Sequence, residues 1–272
     1  MQLLEPAGYI ANIQSHILIG ALIVAAVIGI SLIAITFFVV FRYKDGKKKR
    51  TYKPDWSANE KMLLPLWMFA CLFVAGISLI IWETAHATDP YAAIPSSVKP
   101  ITIQVVALQW KWLFIYPKEK IATINFIEIP VNTPIQFQLT ADAPMNSFWV
   151  PRLGGQMYAM AGMVTQLHLV ANQIGSFPGS GAEMSGAGFS GMTFTVKSVT
   201  KQAYATWVAK VQKSPRQLQA TTYAQLAKPS SYNPVTLYRY TDENLYNDII
   251  MQFMGPMSPG SAPKSTAGPM QM

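Results

Sequence analysis

Two long stretches of the chain are free of charged residues and predict a pair of membrane-spanning helices. The first run, residues 17–41, contains 25 residues and would extend roughly 37 Å as a helix. The second run, residues 62–82, contains 21 residues, enough to cross the apolar core of a bilayer, about 30 Å thick. A cleaved signal peptide is the alternative for the first run, but its apolar region would span only about 7 to 15 residues. We therefore predict two transmembrane helices.

Beyond residue 100 the pattern changes to short segments in which apolar and polar residues alternate. Alternation with a period of two is typical of β-strands that are buried on one face. The predicted strands are 101–107, 110–116, 124–129, 135–140, 147–150, 164–171 and 192–199. Pro, Gly, Asn and Asp separate these strands, so the pattern predicts a sandwich or Greek-key barrel.

After residue 200 the apolar spacing becomes helical. One predicted helix carries an apolar face formed by Tyr204, Trp207, Val208 and Val211. A second helix is predicted over residues 242–254, with Thr241 as a possible cap and acidic residues in its first turn. The aromatic side chains of this extension need a protein surface on which to lie. The last segment, 255–272, is rich in Pro, Gly, Ser and Met, a composition typical of disorder.

The positive charge of the chain is concentrated between the two apolar runs. Eight basic and three acidic residues lie within 42–61, so this segment carries +5 of the net charge of +8. The remainder carries too little charge for a nucleic-acid-binding surface. Because short basic loops stay in the cytoplasm, both termini and the β-rich region are predicted to lie outside. An exterior N-terminus requires either an export signal or an insertion route that needs none, and both remain open.

This topology divides the chain into eight predicted regions. They are an exterior N-terminal segment (1–16), a transmembrane helix (17–41), a cytoplasmic basic loop (42–61), a second transmembrane helix (62–82), a linker (83–100), an exterior β-domain (101–200), an aromatic-rich helical extension (201–254) and a disordered tail (255–272).

Residues that could carry chemistry are scarce. The single cysteine, Cys71, lies in the second apolar run, so no disulfide can form within the chain. His168 alternates with two leucines and is expected on the polar face of a strand, whereas His16 and His86 flank the predicted spans. We find no nucleophile with a matching base, no phosphate-binding loop and no paired acids. The sequence therefore predicts no catalytic, cofactor-binding or metal-binding residue.

Three segments resemble the signature stretches of one membrane-protein family. Residues 108–116, 145–151 and 179–192 are similar to subunit II of the haem-copper terminal oxidases, and the resemblance covers roughly residues 10 to 200. It implies a membrane-anchored α+β protein. A two-helix transmembrane hairpin would be followed by a cupredoxin-like Greek-key β-barrel and a helical C-terminal extension.

In cytochrome c-oxidising members of that family, the barrel holds a binuclear copper centre. Two cysteines, two histidines, a methionine and a glutamate carbonyl bind the metal. The resemblance places the cysteine positions at Gly181 and Ser185, the histidine positions at Asn146 and Phe189, and the matching ligands at Glu183 and Met192. Copper electron transfer requires soft thiolate and imidazole ligands, and the exterior domain has no cysteine. We therefore predict that the copper centre has been lost.

Loss of copper is the mark of the quinol oxidase branch, which segments 99–103, 158–163, 188–192 and 207–254 also resemble. The resemblance implies a structural subunit of a proton-pumping quinol oxidase in the bacterial inner membrane. Haems, one copper and the quinol site would belong to subunit I, and no cytochrome c would bind. Two alternatives remain: a membrane-anchored binding or assembly module with a degenerate cupredoxin fold, and a copper-containing cytochrome c oxidase subunit.

Other family positions are less informative. A glutamate that lies near a proton pathway in the family is replaced by Leu63, and Glu60, one turn earlier, could reach the same region. A solvated residue that complements the helix N-terminus is the favoured interpretation of Glu60. Trp110 and Trp112 occupy the place of an electron-entry cluster, but packing is the favoured role. Members of this branch often begin at a lipid-modified cysteine, whereas this sequence starts at Met1 and gives no support for such an anchor.

Overall fold

A computed structural model describes residues 4–44 and 60–254, which form two compact units. One unit contains residues 12–92. The other combines the residues up to Ala11 with those from Ala93 onward. Most of the predicted basic loop and the whole of the predicted disordered tail lie outside the described residues.

Two apolar helices, α1 (Tyr9–Tyr43) and α2 (Glu60–Ala87), account for the charge-free runs. Both are long and apolar enough to cross a membrane. Helix α1 begins inside the segment 1–16 that we expected to precede the first span. The helical pattern therefore extends beyond the uncharged run, because polar residues such as Asn12 and Gln14 do not interrupt a helix.

The β-domain consists of two sheets. Its strands are β1 (Ile101–Leu108), β2 (Lys111–Tyr116), β3 (Ile121–Ile124), β4 (Phe126–Pro130), β5 (Ile135–Ala141), β6 (Asn146–Trp149), β7 (Met157–Ala159), β8 (Thr165–Leu169), β9 (Gly175–Gly181), β10 (Thr193–Val199), β11 (Gln217–Leu218) and β12 (Thr236–Tyr240). The larger sheet has the order β11-β12-β3-β2-β1-β5-β8, and the smaller has the order β4-β10-β9-β6-β7. Parallel pairing of β1 with β5 and of β4 with β10 joins strands that are distant in sequence. This architecture confirms the predicted cupredoxin-like fold.

The predicted strand 124–129 is two strands, because the chain changes sheets at Asn125. Asn125 has a positive φ of 56°, a conformation that asparagine tolerates better than most residues. Its side-chain oxygen accepts a hydrogen bond from the backbone N–H of Trp112 at 2.9 Å. This corner sends β3 into the larger sheet and β4 into the smaller one.

An aromatic core lies between the two sheets. Phe148 of β6 stacks on Phe194 of β10 with ring centroids 4.9 Å apart and planes inclined by 13°. Trp112 and Phe114, both fully buried, approach the same pair of rings. Aromatic pairs of this kind contribute beyond the apolar area that they bury, so they fix the spacing between the sheets.

We had predicted a helical C-terminal extension, but the extension is not purely helical. It contains α3 (Lys201–Gln212), α4 (Ala220–Leu226) and α5 (Leu245–Met251), but also β11 and β12. Strand β12 pairs antiparallel with β3 and thus enlarges the main sheet. Helix α5 is shorter than the predicted helix 242–254, because the Asp242 side chain accepts a hydrogen bond from the N–H of Asn244 and closes a turn there.

The extension covers the outer face of the larger sheet and forms a second core. Side chains of β1 and β2, such as Val106 and Leu113, pack there with Tyr238 and Ile249 of the extension. The Tyr246 hydroxyl donates a hydrogen bond to the backbone oxygen of Gln138 at 2.9 Å. The surface that we expected the extension to need is therefore the domain's own sheet, which is buried on both faces.

A buried lysine fastens the extension to the barrel. Lys111 of β2 is only 1% exposed, and its ammonium group donates hydrogen bonds to the Lys228 carbonyl at 2.8 Å and to the Ser230 hydroxyl. Burial lowers the pKa of Lys111. Because both acceptors lie between α4 and β12, the lysine holds that connection against β2.

Replacing Ile249 with alanine should destabilise the exterior domain by about 2 to 5 kcal/mol, because the change opens a cavity in the second core. Met251→Ala, in the same helix but at a side chain that is 49% exposed, should change stability by less than about 0.5 kcal/mol. Denaturant unfolding of the detergent-solubilised chain, followed by tryptophan fluorescence, measures both. Equal effects would contradict the packing of α5 against the sheet.

Candidate functional site

Four of the six family ligand positions meet at one end of the barrel. Asn146 begins β6, Gly181 ends β9, and Met192 immediately precedes β10. The Asn146 side-chain nitrogen lies 2.9 Å from the Ser185 hydroxyl and 3.2 Å from the Met192 sulfur. A Cβ atom on Gly181 would lie 2.6 Å from the Asn146 side-chain oxygen. These positions therefore come together, although they are far apart in sequence.

The amide of Asn146 is the centre of this junction. Its side chain is 1% exposed, and its nitrogen donates to both Ser185 and Met192. Its oxygen accepts a hydrogen bond from the N–H of Ser147 at 2.7 Å. A buried amide is stable only when its donors and acceptor are satisfied, and here they link β6 to the loop that precedes β10.

The donor set at this junction does not fit a binuclear copper centre. It offers an amide, a hydroxyl, a glycine and one thioether, whereas copper electron transfer requires thiolate and imidazole ligands. Glu183 and Phe189 take no part in the hydrogen bonds of the amide. Within residues 4–44 and 60–254, no cluster of three or more His, Cys, Asp or Glu side chains could hold a metal ion.

Trp110 packs on the loop that carries the former ligand positions. Its indole nitrogen donates a hydrogen bond to the Ser185 carbonyl at 3.0 Å. Its ring lies so close to Gly188 that a Cβ atom there would overlap it, and Gly186 lies against the same ring. The adjacent Trp112 is fully buried in the aromatic core. Packing thus describes the contacts of both tryptophans.

The remaining candidate residues are dispersed. We had expected His168 on the polar face of a strand. It lies on β8, but it is buried. A ring nitrogen of His16 and one of His86 each lie within hydrogen-bond distance of the carbonyl four residues earlier. Cys71 is exposed on helix α2, and Glu60 is the first residue of that helix. The Glu60 side chain lies outside the described structure, so its role near a proton pathway stays a prediction.

One buried carboxyl group lies away from the junction and was not singled out from sequence. Glu128 of β4 is 5% exposed, and its register partner on β10 is Lys197. Burial raises the pKa of Glu128, and the nearby Lys197 ammonium offsets part of this increase. Glu128 lies within a predicted strand with alternating residues, where a glutamate is usually solvent-exposed. The sequence therefore did not indicate that this carboxyl group is buried.

Two family models match the exterior domain. The model described as "Cytochrome C oxidase subunit II, periplasmic domain" matches residues 118–199, and "COX Aromatic Rich Motif" matches residues 212–257. A solved periplasmic domain of subunit II of the cytochrome oxidase of Bradyrhizobium japonicum is 22% identical, with a TM-score of 0.41. That likeness covers 44% of this chain and 96% of the solved one.

Relatives that match most of this chain have a higher sequence identity than the solved periplasmic domain. The cytochrome bo(3) ubiquinol oxidase subunit 2 of Pseudomonas putida is 42% identical over 98% of this chain and 84% of its own length. The ubiquinol oxidase subunit 2 of Acetobacter aceti is 38% identical over 93% of this chain and 83% of its own length. The quinol oxidase subunit 2 of Bacillus cereus is 35% identical over 87% and 81%, respectively.

Asn146→Ala should destabilise the exterior domain by about 2 kcal/mol, because the N–H of Ser147 loses its acceptor inside the barrel. Asn244→Ala, at an exposed asparagine whose side chain makes no capping hydrogen bond, is the matched control and should be nearly neutral. Thermal unfolding of both variants, followed by near-ultraviolet circular dichroism, tests this expectation. A neutral Asn146→Ala variant would show that the amide does not hold the junction.

Glu128→Gln should change how stability depends on pH. Burial in the folded chain raises the pKa of Glu128. The folded chain therefore holds the carboxyl proton of Glu128 more tightly than the unfolded chain does. The resulting stabilisation is full below the unfolded-state pKa, about 4.3, and is lost as pH rises through the folded-state pKa. The glutamine variant should therefore gain stability relative to the natural chain as pH rises through this window.

Urea midpoints at a series of pH values measure this difference, and effects of other carboxyl groups cancel between the two chains. Parallel curves for Glu128→Gln and the natural chain would contradict the raised pKa.

Proposed function

The chain belongs to the family of ubiquinol oxidase subunit 2, and from this premise we propose that it is the non-catalytic subunit of a proton-pumping quinol:oxygen oxidoreductase. It is a bacterial inner-membrane protein and part of a multi-subunit oxidase. The chain lacks the binuclear copper centre of the cytochrome c-linked relatives. Its work is to pack against its partners in the membrane and to provide the exterior domain. Electrons pass from quinol to oxygen through another chain in an aerobic respiratory system.

The observation that carries this proposal is the hydrogen-bonded junction at Asn146. At the place where copper would receive electrons, this chain has an amide that donates to Ser185 and Met192. The amide, the Ser185 hydroxyl and the Met192 thioether do not change their oxidation state in an electron relay. The whole exterior part of the sequence contains no cysteine, so the domain cannot supply bridging thiolates.

The partner that fits this arrangement is subunit I, which would hold the haems, one copper and the quinol site. Quinol is soluble in the membrane and can reach that partner from within the bilayer. A surface relay and a docking site for cytochrome c are then unnecessary. The exposed apolar side chains of α1 and α2 suit contact with lipid and with helices of the other subunits.

We further propose two spans, with both termini in the periplasm. Residues ahead of the first apolar run share hydrogen bonds with the domain that follows the second. The N–H of Ala7 donates to the Arg152 carbonyl at 2.8 Å, and the N–H of Asn172 donates to the Ala7 carbonyl at 2.8 Å. Such contacts require the two regions to lie on the same side of the membrane, which supports an even number of crossings.

The similarity over nearly the whole chain disfavours the alternatives. A stand-alone assembly module would not need to match oxidase subunits along both helices, the barrel and the extension. A copper-containing subunit would need the ligands that this chain lacks.

Purification tests the assignment directly. A tagged copy extracted from membranes in mild detergent should co-elute with a haem-bearing partner and support quinol-dependent oxygen consumption. A haem-free monomer would contradict the proposal.

The non-catalytic role predicts that Met192→Leu has little effect on electron transfer. Met192 matches a family copper ligand. Leucine conserves its volume but removes the sulfur that accepts from the Asn146 amide, so the exterior domain should lose about 1 to 3 kcal/mol of stability. The rate at which quinol reduces the haems of the assembled oxidase, measured by stopped-flow spectroscopy, should stay within about twofold of the natural enzyme, a change of less than about 0.5 kcal/mol in the activation barrier. A loss of about tenfold or more in a fully assembled complex would place Met192 on the electron path.

A further inference from the structure

The N-terminal segment ahead of the first span is built into the exterior domain. Gly8 forms an antiparallel bridge with Ala171, just after β8. The N–H groups of Ala7 and Gly8 both donate to the Arg152 carbonyl, at 2.8 and 3.1 Å. Residues 5–11 thus lie between two segments of the barrel, 150–154 and 170–172.

The same segment is closely packed. Ala7 belongs to the main hydrophobic core, and Ile10 and Ala11 are also buried. Gly8 approaches the barrel so closely that a Cβ atom would lie 2.6 Å from the Val170 carbonyl oxygen and 2.7 Å from that of Leu153. Because these neighbours are backbone atoms, they cannot move aside as a flexible side chain could. Only glycine fits this position.

Arg152 closes the contact from the outside. Its side-chain Nε donates a hydrogen bond to the Glu5 carbonyl at 2.8 Å. Its guanidinium group lies 5.2 Å from the centre of the Phe177 ring, within the range of a cation–π interaction. The arginine therefore joins the start of the segment to β9.

We propose that residues 5–11 are a strap that the exterior domain needs in order to hold its segments 150–154 and 170–172 together. The closed form of the domain is the form with this strap in place. Without the strap, the N–H of Asn172 and the carbonyls of Arg152 and Leu153 lose their partners. The two spans separate the strap from the rest of the domain in the sequence. Given the proposed two-span topology, the domain reaches its closed form only after the N-terminus has crossed the membrane. Insertion of the first span and maturation of the domain are thereby coupled.

Hydrogen exchange on the full-length chain tests the strap. In Gly8→Val, peptides covering residues 170–174 should exchange at least about tenfold faster, the change expected from losing roughly one net hydrogen bond at Asn172. The paired strands β1 and β2 should keep their protection in the same sample. Gly20→Val is the matched control, since a Cβ atom at Gly20 meets no atom within 4 Å. Equal exchange of residues 170–174 in the two variants would overturn the strap.

The coupling is tested by holding the N-terminus inside. A stably folded cytoplasmic protein fused ahead of Met1 should give residues 170–174 the fast exchange of Gly8→Val. Natural protection in a chain whose N-terminus is shown to be inside would overturn the coupling.

Topology is measured independently. In a Cys71→Ser background, Leu4→Cys places a thiol at a position that is exposed in the domain. Labelling of this thiol by a membrane-impermeant maleimide from the periplasmic side supports the exterior N-terminus. If labelling fails, the proposed topology is wrong. If labelling succeeds but Gly8→Val exchanges like its control, the topology stands and the strap alone is rejected.

Discussion

The hydrogen bonds of the Asn146 amide hold together the end of the barrel on which the functional interpretation depends. Three parts of the chain meet there: the start of β6, the loop around Ser185 and the residue before β10. In a copper-binding barrel, a metal could join such segments through its ligands. Here one neutral side chain does so, with its oxygen also accepting from the next backbone N–H. Hydrogen bonds hold these three parts together through groups that carry no redox chemistry.

This substitution is consistent with the rest of the domain. The larger sheet is buried on both faces, by the aromatic core on one side and by the extension on the other. Lys111, the extension strand β12 and the strap of residues 5–11 each attach a peripheral segment to that sheet or its neighbours. These attachments are made by hydrogen bonds, strand pairing and side-chain packing within the chain rather than by metal ligands.

Much of this could be predicted from the sequence, because hydrophobic periodicity identifies helices and alternating strands. Strand β9 was missed because its residues, Gly175–Gly181, are mostly Gly, Ser and Pro, and pairing with β10 and β6 makes it a strand. Strand β12 was missed because a polar stretch precedes it, and its partner β3 lies over 100 residues earlier. The ligand positions were found by family resemblance. The bonds from Asn146 to Ser185 and Met192 could not be, because they join residues 39 and 46 positions apart.

The central claim is that electrons bypass this chain, and copper analysis tests it most directly. The subunit would be produced in its oxidase in copper-rich medium, separated from its haem-bearing partner, and examined for bound copper and for the absorption of a thiolate-bridged copper pair. We expect no stoichiometric copper and no such absorption. A binuclear copper centre in the separated chain would contradict the account, because the domain would then hold the relay that its sequence and its Asn146 junction exclude.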